Sequence, residues 1–204
     1  MSTMSAFTLE TITDVRIIRA PGSTWTFRRR ADRWLHEFGF GAGDPFASSI
    51  EADPADPEAN PGLILSPTFQ DLQWHPEVAP KARALLTGQS TYHHFSAVVA
   101  AAIRPDGLLE WEIDIADRCR GEISVLTSTY LLNASTSDLI DAATDRIAWS
   151  HPKGRIDLTV GLGATLALAE AGRKTTRLQI SAKIDPRSNT QRYIYRWRWT
   201  PTAI

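Results

Sequence analysis

The last third of the chain alternates apolar and polar residues with a period of two, and no other feature narrows its possible folds as far. Ile156, Leu158, Val160, Leu162, Leu166 and Leu168 share one parity, with only the small Ala164 between them. Leu178, Ile180, Ala182 and Ile184 repeat the pattern, and Tyr193, Tyr195, Trp197 and Trp199 close it. Successive strand side chains point to opposite faces, so such alternation describes antiparallel strands with one apolar and one polar face.

Upstream, the same rule reads residues 8–19 as a strand ending at the turn Pro21-Gly22. Residues 95–103, 109–115 and 123–131 read as a three-stranded meander, with Arg104-Pro-Asp-Gly107 as its first turn. The segment 25–40 fits two templates. Phe27, Ala31, Trp34, Leu35 and Phe38 form a helical stripe, while Trp25 and Phe27 against Trp34, His36 and Phe38 form a hairpin turning at Ala31-Asp32. Its arginines and alanine favour the helix. A second helix is expected over 135–149, from the capping-box spacing of Ser135 and Asp138 and the residues Leu139, Ile140, Ala143 and Ile147. A third, short helix is expected over 80–86, closed by Gly88.

Seven of the chain's 12 prolines fall between residues 41 and 80, around the acidic run 51–58. Structureless stretches of this length are uncommon inside compact domains. Leu63, Ile64, Leu65, Phe69, Leu72 and Trp74 are interspersed, so the segment reads as an ordered arm packed on the sheet, with a mobile acidic tip. The fold class expected is therefore α+β. One twisted, curved antiparallel sheet of about six to eight strands carries helix 135–149 and one or two short helices, in a single domain spanning 1–204.

At 204 residues, 43% hydrophobic and 22% charged, the composition is that of a globular protein. A formal charge of −1 supplies no global field for a polyanion or an anionic membrane. Cys119 is the sole cysteine, which rules out an internal disulfide and a Cys-rich metal site and reads as a small half-buried side chain. The start MSTMSAF shows no secretory pattern, and the longest apolar run, 97–103, is far short of the roughly 20 residues of a membrane helix. The cytoplasm is the expected location, with no membrane partner.

Several motifs suggest chemistry, each beside a plainer reading. Gly161-Leu-Gly163 followed by alanines and leucines resembles locally a dinucleotide-binding turn, but Leu166 stands where the third glycine belongs. A long strand with glycines at a bend, or a strand followed by a short helix, accounts for it. Glu110, Glu112 and Asp114 share one strand face, with Asp117 just beyond, and Arg192, Arg196 and Arg198 form a matching basic line. Cross-strand pairing explains both lines without an active site. His93 and His94 point to opposite faces and cannot chelate one metal together, and no metal or cofactor site is assigned.

Three functions remain open, and whether the protein is an enzyme is undecided. The first is a small-ligand-binding protein, with or without modest catalysis, whose cavity under the curved sheet is lined by Tyr193, Tyr195, Trp197, Trp199 and Trp111 and takes an apolar or aromatic molecule. The second is a structural subunit of a multi-protein particle, its strands and arm engaging neighbouring subunits and giving an oligomer. The third is a single-stranded nucleic-acid binder in which Arg28, Arg29, Arg30, Arg196 and Arg198 meet phosphates beside stacking rings.

Overall fold

A computed structural model describes residues 7–40, 43–50, 63–75, 81–134, 138–161, 163–172 and 175–202. These residues form seventeen strands and no α-helix. Numbered along the chain, the first sheet holds β1 (Thr8–Ile12), β2 (Val15–Ala20), β3 (Ser23–Arg30), β4 (Arg33–Phe40), β5 (Ala47–Ser49), β11 (Val125–Leu132), β16 (Thr175–Ala182) and β15 (Ala164–Gly172) in that spatial order. The two-residue β6 (Leu63–Ile64) adds to it beside β11, in the one parallel pairing among the described residues. The second sheet runs β12 (Leu139–Ala142), β13 (Arg146–His151), β14 (Gly154–Val160), β17 (Thr190–Pro201), β10 (Leu109–Cys119), β9 (His93–Ile103), β8 (Lys81–Ser90) and β7 (Asp71–His75).

The α+β expectation with one sheet is overturned: the fold is all-β, with sheets of nine and eight strands. The two sheets pack face to face over one continuous buried cluster. Trp25, Phe27 and Phe38 come from one side, and Trp111, Trp149 and Trp197 from the other.

Each misplaced helix has a physical reason. In the expected helix 135–149, residues 135–137 lie outside the described set, and the remainder forms the hairpin β12–β13. Its turn is closed by the Ala143 N–H donating to the Arg146 carbonyl at 2.7 Å. The supposed helical stripe is no face at all, since Ile147 is buried while Ile140 is 52% exposed. The expected helix 80–86 is strand β8, with Ala82, Ala84 and Leu86 buried on one parity. Alanine hides a period of two from any reading that weighs helix propensity, and sheet packing overrides that propensity. Gly88 stops no helix. A Cβ there would lie 1.8 Å from the carbonyl oxygen of Thr68, so glycine lets the segment before β7 cross directly over the strand. Residues 25–40 form the hairpin β3–β4, turning at Ala31-Asp32 with Ala31 at φ +56°.

Other connections differ from expectation in where they lead. Residues 8–19 form two strands, β1 and β2, with a turn at Thr13 (φ +44°). The expected meander stops after β9 and β10, because β11 crosses to the other sheet. Residues 183–189 carry the chain from β16 in one sheet to β17 in the other. Gly163 (φ +93°) ends the crossing from β14 to β15, where a Cβ would sit 3.3 Å from the Arg192 carbonyl oxygen. No helix follows it, so no helix N-terminus exists there to cradle a dinucleotide phosphate. Of the arm 41–80, residues 51–62 and 76–80 lie outside the described set. Its described parts supply β5, β6 and β7 and the buried side chains of Phe46, Ile64, Phe69 and Leu72.

Candidate functional site

The expected ligand-binding rings do converge, and they converge on one another. Trp111, Tyr193, Tyr195, Trp197 and Trp199 are all buried on the inner face of β10 and β17. Ring contacts bridge the sheets: Trp25 with Trp111 at 5.5 Å, Phe38 with Trp197 at 5.5 Å, Phe40 with Trp199 at 4.4 Å and Phe46 with Trp149 at 5.7 Å. Three of their polar tips are paired internally, whereas Nε1 of Trp25, Trp149 and Trp197 has no hydrogen-bond partner. Trp111 Nε1 donates to Ser23 Oγ at 2.9 Å, Tyr193 shares a proton with Ser128 Oγ at 2.8 Å, and Tyr195 with Tyr130 at 2.6 Å. The Tyr130 hydroxyl continues to His36 Nε2 at 2.6 Å. Burial pushes Tyr195 up to about 12 and holds His36 down to about 4, so both stay neutral near pH 7. The slot beside His36, Ser49, Ser66 and Tyr130 holds about 10 Å³, room for one water. This ring cluster is a structural core.

On β17 arginines and rings separate by face, as strand geometry requires, whereas in β3 Arg29 shares the parity of Trp25 and Phe27 and is the cross-strand partner of Trp34. Arg28 pairs with Glu37 at 2.9 Å, Arg29 lies 5.9 Å over the Trp34 ring, and Arg30 is exposed. On the outer face of the second sheet Arg196 bonds Glu112 at 2.7 Å and Arg198 bonds Glu110 at 3.1 Å. Arg192 reaches diagonally to Asp114 at 2.8 Å. The cross-strand pairing read from the two charge lines is therefore present, and the rings of β17 lie on the other side of the sheet from its arginines.

A different group of side chains draws together at one end of the sandwich. Leu109, Trp111, Ile113 and Ile115 give β10 its apolar inner parity, and the same parity continues into Asp117 and Cys119. Cys119 is the direct cross-strand partner of His93, at the start of β9. Asp117 Oδ2 lies 2.7 Å from His93 Nδ1, and Cys119 Sγ lies 3.7 Å from His93 Nε2. All three are buried: Cys119 is 2% exposed, His93 1% and Asp117 0%. The imidazole stacks on Phe95 at 5.6 Å, which fixes its plane. Burial pushes the Cys119 thiol up, while the Gly121 N–H, 3.3 Å from the sulfur, works in the opposite direction.

Residues 118–121, Cys119 among them, and loop residues 186–189 line an open crevice of about 460 Å³. The loop wall is built by the buried Gln191. Its Nε2 donates to the carbonyls of Asp185 and Ser188 at 2.9 and 2.8 Å, and its Oε1 accepts the Asp185 N–H at 2.9 Å. The Cys119 N–H donates to the Asn189 carbonyl at 2.9 Å and holds the two walls together. Arg118, Arg120 and Arg187 line the crevice, and no carboxylate is among its lining residues.

None of these residues was singled out as a site from the sequence. The available signal was Asp117, a carboxylate on the apolar parity of a strand, four residues from Ile113 and two from the only cysteine. The pairing of His93 with Cys119 depends on register, which the sequence does not print. No known protein-family model matches this chain, and no curated protein matches it either.

Proposed function

We propose that this protein binds a small anionic molecule in the crevice above Cys119. The observation that carries the reading is the lining: three arginines and no carboxylate among the residues of an open crevice of small-molecule size, with a loop hydrogen-bonded by Gln191 as one wall. Guanidinium groups recognise carboxylate and phosphate oxygens through paired N–H donors, so the ligand class is a small carboxylate or phosphate. This places ligand binding at the rim of the sandwich instead of among the rings of β17.

Isothermal titration with citrate and with inorganic pyrophosphate tests it. At least one of them should bind, with affinity falling as salt rises. The substitutions Arg118→Ala and Arg187→Ala should each weaken binding about tenfold or more, the worth of one charged hydrogen bond. Heat of binding that is absent for both anions, or unchanged in the double variant, overturns the reading.

A further inference from the structure

We propose that Cys119 is a nucleophile, with His93 as its general base and Asp117 orienting the imidazole, and that the site transfers acyl groups from small esters or thioesters carrying an anionic group. The substrate's charge rests on the binding reading above; the covalent chemistry rests on separate observations.

The first is the use of opposite ring nitrogens. Asp117 occupies Nδ1 and the thiol faces Nε2, so the three groups do not converge on one point as metal ligands do. They form a line. A carboxylate at Nδ1 holds the proton there and leaves the Nε2 lone pair directed at the thiol, which is the arrangement that moves a proton off sulfur.

The second is Asp117 itself. Its Oδ1 is buried with no hydrogen-bond partner. Most buried side-chain polar atoms are satisfied, and leaving a carboxylate oxygen bare costs about 1–3 kcal/mol. The under-satisfied charge does stabilise a positive imidazole, the form that His93 takes once it has accepted the thiol proton. The third is position: Cys119 is one of the residues that line the crevice.

The reaction balances without any redox partner. As Cys119 Sγ bonds to the acyl carbon, its proton passes to His93 Nε2. The tetrahedral intermediate collapses by breaking the bond to the leaving oxygen or sulfur, which takes that proton and departs as alcohol or thiol. Water then gives a proton to His93 and attacks the thioester. The C–S bond breaks, the acid is released, and the proton returns to the sulfur.

The test uses the intact chain and the probe mono-4-nitrophenyl succinate, with neutral 4-nitrophenyl acetate beside it. A burst of nitrophenolate, one succinyl group on the Cys119 peptide by mass spectrometry, and preference for the anionic ester are the expected results. Cys119→Ala should abolish the burst, and Asp117→Asn should slow it about a hundredfold or more. Should the variants fail to fold, alkylation of the native protein decides. Iodoacetate should label Cys119 faster than iodoacetamide does, whereas a thiol that reacts only after unfolding overturns the proposal. Anion binding with no acylation removes the nucleophile and leaves the binding site; acylation with no charge preference removes the anionic substrate class.

Discussion

His36 brings an imidazole to the wall of the core, where it stacks on Trp25 at 5.6 Å and meets the Tyr130 hydroxyl at 2.6 Å. Burial lowers its folded-state value from 6.5 to about 4. The unfolded chain therefore binds a proton that the folded chain refuses. Stability from this group is fully present above pH 6.5 and is lost as pH falls through 4, about 3 kcal/mol in all. Urea unfolding of His36→Gln across that window should show a flatter acid limb than the parent, because glutamine can still bond Tyr130 without titrating. At this scale the sequence was legible for parity and silent on partners. It separated His93 from His94 correctly, one buried and one exposed. It placed Asp117 beside the outward acids, because Glu110, Glu112 and Asp114 precede it. Counting one more step along the inward parity would have put it under the sheet.

Elements were legible where large side chains wrote the alternation and illegible where alanine did. β17 carries Tyr193, Tyr195, Trp197 and Trp199 on one parity and is a strand as read. β8 carries Ala82, Ala84 and Leu86, and its helix-forming composition concealed it. The hairpin β12–β13 was missed because residues 139–147 match a helical spacing by chance, and only burial shows that they share no face. Gly88 gives the sharpest test of this level. With the Thr68 carbonyl pressed against its Cα, Gly88→Ala has to displace backbone rather than a side-chain tip. It should cost roughly 1–3 kcal/mol by chemical denaturation, as overpacking does. The same substitution at Gly107, with open space around it but φ +80°, reports the backbone strain alone.

Across the whole molecule, the period of two says which residues face inward but not which of two sheets they face from. That is why one curved sheet over a helix was expected where two sheets cover each other. The outer charge lines were readable because complementary residues on one sheet pair whatever lies beneath them. The core offers a comparison that separates packing from hydrogen bonding. Trp111 donates to Ser23, whereas the buried Trp197 Nε1 has no hydrogen-bond partner. Trp111→Phe should therefore destabilise by about 1–3 kcal/mol more than Trp197→Phe, since only the first leaves a buried hydroxyl unpaired. Denaturant midpoints of the two variants check it.

Strand β17 lies between β14 and β10, so neither half of the eight-stranded sheet has its inner neighbour until residue 190 has been synthesised. From the moment residues 81–119 emerge, β10 offers a bare row of backbone donors and acceptors above an apolar face, open to the same strand of another nascent chain. The rate at which the ribosome delivers the final strand thus competes with encounter between chains, and slow translation beyond β10 turns a stable architecture into an aggregation hazard.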